Sequence, residues 1–138
     1  MWLYESAEFN HDETYYGFVY IITNIINGKK YIGRKYLTKA GYKTVKGKRK
    51  KIRVNSDWRD YYGSSPALAK DVEIFGKEVF VREILRLCKT RSECNYYEAK
   101  YIFEADAILD GDYYNQWISC RVQSSHVKAH HFNIQENT

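Results

Sequence analysis

Hydrophobic and polar positions alternate most clearly near the start of the chain, on both sides of an Asn-Gly dipeptide. Phe18, Tyr20 and Ile22 occupy every second position of the first segment, as expected for a strand with two different faces. An Asn-Gly pair between two such segments is typical of a tight β-hairpin. The pattern therefore predicts a hairpin over about residues 17–34, with Tyr20 on one arm and Tyr31 on the other.

After about residue 56, the pattern changes to helical spacing, interrupted by one segment rich in β-branched residues. A serine before Pro66 marks a helix start, and Thr90 with Glu93 three residues later forms a capping box. Gly76 and Gly111 stand where they would end these two helices. We predict a helical turn at 57–62, a helix at about 66–75, a strand at 78–88, a long helix at about 91–109 and a short strand or turn at 113–115.

This order of elements predicts one α+β domain over residues 1–138, in which helices pack on an antiparallel sheet. Residues 1–16 show no clear period, so we expect an irregular arm or an extra edge element there. The core is expected over about 17–116, and the 23 residues at 116–138 leave no room for a second DNA-binding domain. Residues 126–138 are polar and are expected to form a frayed tail.

The positive charge of the chain is concentrated in one segment. Of the 22 Lys and Arg residues, 13 lie between Lys29 and Arg59, and no Asp or Glu occurs between Glu13 and Asp57. This concentration is typical of a surface that contacts a phosphate backbone, although a charged loop that only aids solubility has the same pattern. The basic residues that we expect to contact nucleic acid are Lys35, Lys48, Arg49, Lys50, Lys51 and Arg53.

The basic insertion at about 35–56 shows neither helical nor strand periodicity for long. We therefore expect a mobile loop that becomes ordered when nucleic acid binds. The alternative is a short strand pair across Gly47, with Tyr42 on one arm and Ile52 on the other.

Composition excludes several classes of protein. No apolar segment approaches the roughly 20 residues of a membrane span, and the first residues lack the basic region and apolar core of a signal peptide. The three cysteines are an odd number without a Cys-x-x-Cys motif, so we expect reduced thiols in a cytoplasmic protein.

The predicted hairpin resembles the core motif of the GIY-YIG nuclease family. Gly17-Phe-Val-Tyr20 stands where that family has Gly-Ile-Tyr, with one residue added, and Tyr31-Ile-Gly33 repeats the second half unchanged. The resemblance implies a small three-stranded antiparallel sheet with flanking helices. It also implies that one of the two motif tyrosines helps to activate or orient the attacking water.

The resemblance covers about residues 17–116. Trp-Arg-Asp-Tyr-Tyr-Gly-Ser-Ser at 58–65 and Tyr-Tyr-Asn at 113–115 are similar to segments of small, phage-encoded stand-alone members. The resemblance thus implies a phage-type enzyme, related to homing endonucleases, that acts in the host-cell cytoplasm.

The same resemblance implies roles for two residues outside the hairpin. Glu98 lies in Tyr-Glu-Ala-Lys-Tyr-Ile at 97–102, where the family has its metal-binding glutamate on a helix. Asn115 matches the family's asparagine that helps to order the site. One glutamate is compatible with Mg²⁺ (or Mn²⁺), because Mg²⁺ commonly takes one or two carboxylates and keeps several waters.

The chain departs from the family pattern at the catalytic arginine. The family places this arginine on a helix about ten residues after the second motif tyrosine, and here that position lies in the basic insertion at a glycine. We prefer Arg59 for the role because it falls in the predicted helical turn. Tyr62, or its neighbour Tyr61, is expected in place of a histidine that the family frequently carries. The full set of candidate arginines is Arg34, Arg49, Arg53 and Arg59.

These features predict a metal-dependent endonuclease that hydrolyses phosphodiester bonds in double-stranded DNA, with Mg²⁺ or Mn²⁺ at Glu98. A catalytically silent nucleic-acid-binding module is the first alternative, because the helical arginine is missing. A small basic RNA- or ribosome-associated protein is the second. The target site, the choice between nicking and double-strand cleavage, and the oligomeric state, a homodimer included, stay open.

Overall fold

The hairpin that the alternating pattern predicts is present and lies within a larger sheet. The computed structural model describes residues 1–118, 124–125 and 127. In chain order its elements are β1 (Trp2–Tyr4), β2 (Ala7–Glu8), β3 (Gly17–Asn24), β4 (Lys30–Tyr36), β5 (Thr38–Val45), β6 (Lys48–Asn55), α1 (Pro66–Phe75), β7 (Phe80–Cys88) and α2 (Arg91–Glu104). Strands β3 and β4 pair antiparallel, with Tyr20 opposite Gly33, so the predicted hairpin is confirmed.

The sheet has five strands in the order β2-β1-β7-β3-β4, so the expectation of three antiparallel strands is wrong. Strands β7, β3 and β4 do form an antiparallel group on one side of the sheet, but β1 runs parallel to β7 and makes the sheet mixed. The additional strands come from residues 1–16, where the alternative of an extra edge element is confirmed. Trp2 explains this placement, because its side chain is only 2% exposed and anchors β1 in the core. The α+β class is confirmed.

Both faces of the hairpin are covered. Phe18, Tyr20 and Ile22 pack on one face with Trp2 and Trp58, and the indole N–H of Trp2 donates a 2.6 Å hydrogen bond to the Trp58 carbonyl. The intervening side chains of β3 point to the opposite face, where α2 packs on the sheet. Burial of each large apolar side chain contributes roughly 1.5–3 kcal/mol to the free energy of unfolding, so packing on both faces stabilises the hairpin.

The two helices begin where the sequence predicts. The Ser65 side chain accepts a hydrogen bond from the Leu68 amide at the start of α1, and the Thr90 side chain accepts one from the Glu93 amide at the start of α2. Helix α1 ends at the predicted residue, whereas α2 ends five residues before the predicted 109. The early end of α2 is explained by Asp106, whose φ of 49° is incompatible with a right-handed helix.

The strand after α1 and the helical turn before it are both shorter than predicted. A 3₁₀ turn at Lys77–Val79 precedes β7, and another at Trp58–Asp60 occupies part of the predicted turn. The turn at Trp58–Asp60 has no side-chain cap, because the carboxylate of Asp57, which precedes it, instead accepts a 2.6 Å hydrogen bond from Lys35.

The basic insertion forms a regular two-stranded ribbon, and the expectation of a loop is wrong. Strands β5 and β6 pair along their whole length, from Thr38 opposite Asn55 to Val45 opposite Lys48. Lys46 and Gly47 join them with φ values of 51° and 74°, positive as a type I′ turn requires. The alternative of a strand pair across Gly47 is therefore confirmed. The pattern conceals β6 because almost all of its positions are charged or polar.

Three further expectations have different outcomes. Cys88 and Cys94 are free thiols, as expected, whereas Cys120 lies outside the described residues. Among the residues that the structure describes, no helix has the length and apolar character needed to cross a membrane. The expected frayed tail at 126–138 also lies outside the described part, apart from Val127, which is buried.

Candidate active site

A cavity of about 440 Å³ lies beside the outer edge of β4. It is enclosed by β4, the start of α1, α2 and the segment that follows α2. Side chains from all four parts reach it, and its walls include Tyr31, Ile32, Ser64, Glu98, Asn115 and Trp117. Three of the residues singled out from the sequence, far apart in the chain, therefore line one cavity.

The Glu98 carboxylate is the acidic group of this cavity. Its side chain is 15% exposed, and its Oε1 accepts a 2.5 Å hydrogen bond from the Arg34 guanidinium. Burial raises the pKa of Glu98 above the ordinary glutamate value, while the Arg34 guanidinium and the Arg34 backbone N–H act in the opposite direction. The arrangement holds one carboxylate and one guanidinium together at the edge of β4.

The two motif tyrosines occupy different environments. The Tyr31 hydroxyl lies 3.0 Å from the Ser64 hydroxyl at the cavity wall. Tyr20 is only 1% exposed, and its ring packs 5.1 Å from the Trp2 ring and 6.2 Å from the Tyr31 ring. Burial raises the pKa of both phenols above the ordinary value, well above it for Tyr20. Both therefore stay protonated near neutral pH, and Tyr31 can donate a hydrogen bond into the cavity.

Gly33 is required by the position of Tyr20. Gly33 pairs with Tyr20 across the hairpin, and a Cβ at Gly33 would overlap the Tyr20 hydroxyl. The glycine of the second half-motif thus leaves space for the tyrosine of the first. Tyr20 in turn packs against Tyr31, so this pair helps to set the ring that faces the cavity.

Asn115 closes part of the free edge of β4. Its Oδ1 accepts a 2.9 Å hydrogen bond from the Ile32 amide, and its Nδ2 donates a 2.8 Å hydrogen bond to the Ile32 carbonyl. One residue earlier, the Tyr114 amide donates to the Lys30 carbonyl, and the Lys30 amide donates to the Asp112 backbone carbonyl. The segment before Trp117 therefore pairs with β4 like a short irregular strand, as the sequence allowed.

Comparison with known proteins identifies the family. A family model described as "Putative endonuclease segE, GIY-YIG domain" matches residues 2–118. The chain belongs to the GIY-YIG family. Over 101 residues it is 35% identical to "Putative endonuclease segE" of Enterobacteria phage T4. The alignment covers 72% of this chain but only 40% of that relative, so the chain spans less than half of the relative's length. No solved structure gives a significant match.

Arg59 and Tyr62, two further residues expected at the GIY-YIG site, do not line the cavity. The Arg59 guanidinium lies over the Trp58 ring, 4.4 Å from its centroid. Tyr62 packs against the Arg82 guanidinium, which lies 4.1 Å from the centroid of its ring. The neighbouring Tyr61 lies closer to the motif, with its ring 6.1 Å from that of Tyr20. The expected roles of Arg59 and Tyr62 therefore gain no support from their positions.

Sequence reasoning missed two groups that build the GIY-YIG cavity. The first is Ser64, which was not recognised because Ser-Ser-Pro is already explained as a helix start. Two serines precede Pro66 and only one can cap the helix, so the other was available for the site. The second group centres on Tyr114, whose hydroxyl donates to Asp71 at 2.7 Å and lies 3.3 Å from the Asn24 amide nitrogen. This network ties the residue before Asn115 to α1 and to the end of β3.

Among the residues that the structure describes, Glu98 alone places a carboxylate on the cavity wall, and this limits which metal could bind here. Within residues 1–118, no group of three or more His, Cys, Asp and Glu side chains is placed to hold a metal. Zn²⁺ is therefore disfavoured, because it prefers several His or Cys ligands. Mg²⁺ fits better, because it binds through one or two carboxylates, water and substrate phosphate oxygens. The Glu98 carboxylate and the volume of the cavity are compatible with such a hydrated ion.

The residues expected to contact nucleic acid divide into two groups. Lys48, Arg49, Lys50 and Lys51 are exposed along β6. Lys35 is instead paired with Asp57 and lies 4.1 Å from the centroid of the Tyr61 ring. Arg53 donates a 2.8 Å hydrogen bond to the Thr38 carbonyl at the base of the ribbon.

Proposed function

We propose that this GIY-YIG domain is an endonuclease that hydrolyses phosphodiester bonds in double-stranded DNA, with Mg²⁺ or Mn²⁺ at Glu98. The observation that supports it is that Tyr31, Glu98 and Asn115 line one cavity, with Arg34 bound to Glu98. Family membership and the name of the phage relative agree with an endonuclease. Because the relative is from a phage, we also propose that the enzyme acts in the cytoplasm of a host cell.

Each side chain would contribute to phosphodiester hydrolysis in its own way. A divalent cation, when bound, supplies positive charge at the scissile phosphate. The neutral Tyr31 phenol, next to Ser64, orients the attacking water or a phosphate oxygen. The Arg34 guanidinium stabilises negative charge that develops on the phosphate. Tyr20 and Asn115 act as positioning residues, because they hold the Tyr31 ring and the β4 edge in place.

The ribbon supports DNA as the partner. Lys43 stands directly opposite Lys50 in the β5–β6 pairing, and like charges in that position destabilise a strand pair. A polyanion on the ribbon would relieve this repulsion and release counterions. Contact with a phosphate backbone therefore explains the exposed lysines of the ribbon better than a purely structural role does.

A catalytically silent DNA-binding module is the second candidate. The observation in its favour is the Arg34–Glu98 hydrogen bond, because Glu98 carries the only carboxylate that the described residues place on the cavity wall. In that case the ion pair would be structural, and the protein would bind DNA without cutting it.

Glu98→Gln separates the two candidates, because it keeps the size of the side chain and removes its charge. Plasmid DNA is incubated with each protein in Mg²⁺ or Mn²⁺, with and without EDTA. We expect the parent to cut only with the metal and Glu98→Gln to show background cleavage, with DNA binding equal or stronger. Glu104→Gln is the matched control, since Glu104 lies on the same helix with 57% of its side chain exposed. Equal cleavage by the parent and Glu98→Gln would remove Glu98 from the site, and no cleavage by either would favour the binding module.

A further inference from the structure

The ribbon formed by β5 and β6 has charge on both faces. Each strand has eight residues, so the ribbon is about 26 Å long at roughly 3.3 Å per residue. The pairing register places Lys39, Lys43, Lys48 and Lys50 on one face and Tyr42, Arg49, Lys51 and Arg53 on the other. No acidic residue occurs between Thr38 and Asn55. The ribbon is therefore a positively charged element attached to the end of β4.

On the face that carries Tyr42, the side chains of Tyr42 and Arg49 stack on each other. The Arg49 guanidinium lies over the Tyr42 ring, 3.8 Å from its centroid, and Tyr42 is 57% exposed. In the part of the chain that the structure describes, Arg49 forms no ion pair, so its planar set of N–H donors remains available. Stacking restrains a long side chain and reduces the entropy lost when it binds.

We propose that this ribbon enters the major groove of B-form DNA, with the Tyr42–Arg49 face toward the base edges. The inference rests on the proposed function, which makes double-stranded DNA the substrate. A major groove about 12 Å wide admits a two-stranded ribbon, whereas an undeformed minor groove is only about 6 Å wide. Arginine donors match the two major-groove acceptors of guanine, and the lysines of the opposite face can reach phosphates along the groove rims.

The same geometry disfavours duplex RNA as the ribbon's partner. The major groove of an A-form helix is deep and narrow, so side chains on a ribbon cannot reach its base edges. The ribbon should therefore contribute to affinity for a DNA duplex far more than for an RNA duplex of the same sequence.

Chain length limits where the ribbon contacts lie relative to the cleaved bond. Eleven positions along the chain separate Arg34, which contacts Glu98 on the cavity wall, from Val45 at the end of β5. A fully extended chain spans at most about 3.6 Å per residue, so no part of β5 lies more than about 40 Å from Arg34. At 3.4 Å per base pair, the bases contacted by this strand lie within roughly 12 base pairs of the scissile phosphate.

Groove-specific competitors test the placement. Binding of the complete chain to a DNA duplex is measured by fluorescence anisotropy in EDTA, so that no cutting occurs. The duplex is used free, saturated with methyl green in the major groove, or saturated with netropsin in the minor groove, and an RNA duplex of the same sequence is a fourth probe. We expect methyl green to weaken binding about tenfold or more and netropsin to have little effect. Stronger competition by netropsin than by methyl green would overturn the proposal.

Two substitutions separate base contacts from phosphate contacts. Arg49→Lys keeps the charge but loses the planar donors, so we expect affinity for DNA to fall about tenfold with an unchanged salt dependence and with no effect on RNA binding. Lys50→Gln should reduce the slope of the logarithm of the binding constant against the logarithm of the salt concentration by about one unit. Lys77→Gln, outside the ribbon, removes the same charge and is the control. Circular dichroism shows whether each variant is folded. A loss with Arg49→Lys that is equal for DNA and RNA would overturn the proposal.

These measurements are independent of the cleavage test. If the parent cuts DNA in Mg²⁺ while methyl green leaves binding unchanged, the ribbon placement fails and the endonuclease proposal stands. If methyl green competes as expected and no DNA is cut, the endonuclease proposal fails and the ribbon placement stands.

Discussion

Arg34→Ala removes the guanidinium that contacts the cavity carboxylate. The hydrogen bond from Arg34 to Glu98 spans 2.5 Å, and the Arg34 side chain is 32% exposed, so part of this side chain is accessible to solvent. Loss of a preorganised charge at the reacting group costs about 100- to 1000-fold in rate. We therefore expect single-turnover cleavage by Arg34→Ala to fall by that factor, with DNA binding within a few-fold of the parent.

The substitution should also lower stability, and this effect must be measured separately. Glu98 is mostly buried and would lose a charged hydrogen-bond donor, which costs about 1–3 kcal/mol. Denaturant unfolding measures this loss, and cleavage is compared at a temperature where both proteins are folded. Arg34→Lys is informative because it restores the charge without the planar donors, so we expect only partial recovery of the rate.

Arg59→Ala is the control that could refute this assignment. Arg59 is the arginine that the sequence favours, but its guanidinium lies over the Trp58 ring, whereas that of Arg34 contacts Glu98 on the cavity wall. We expect its replacement to change the cleavage rate only a few-fold. A 100-fold loss with Arg59→Ala together with near-normal cleavage by Arg34→Ala would show that the cavity is not assembled for catalysis as described.

Two further predictions concern the hairpin. Gly33→Ala should destabilise the protein by about 1–3 kcal/mol, because its Cβ would overlap the Tyr20 hydroxyl, whereas Gly111→Ala, which meets open space, should be nearly neutral in the same thermal unfolding assay. Because burial raises the pKa of Tyr20, the unfolded chain loses this proton first as pH rises above about 10, and stability falls. The free energy of unfolding of Tyr20→Phe should therefore fall less between about pH 8 and pH 11 than that of the parent. An equal fall in both proteins, measured by denaturant unfolding, would contradict the prediction.

The features predicted correctly from sequence are those that depend on local signals. The β3–β4 hairpin follows from alternation around Asn-Gly, and α1 follows from Ser65, Pro66 and Gly76 at its ends. Each signal lies within a few residues of the structure that it specifies. The course of the backbone at these places needs no information about distant parts of the chain.

The features that were missed depend on contacts between distant segments. The parallel pairing of β1 with β7 joins Trp2 to Arg82, and neither sequence segment indicates the other. The choice among candidate arginines likewise depends on a contact between Arg34 and Glu98, which are 64 residues apart. The family pattern identified Glu98 and included Arg34 among the candidate arginines. It could not decide between Arg34 and Arg59, because the helical position of the family's arginine falls on a glycine of the basic insertion here.

The outer edge of β4 explains why the site forms where it does. An unpaired edge strand exposes backbone donors and acceptors that must be satisfied or covered. At Lys30 and Ile32, the segment 112–115 supplies these hydrogen bonds and carries Asn115 to the site. At Arg34, the Glu98 carboxylate from α2 accepts a hydrogen bond from the guanidinium and covers the next part of the edge. The two halves of the edge are thus covered by different segments, and the cavity lies where these segments meet.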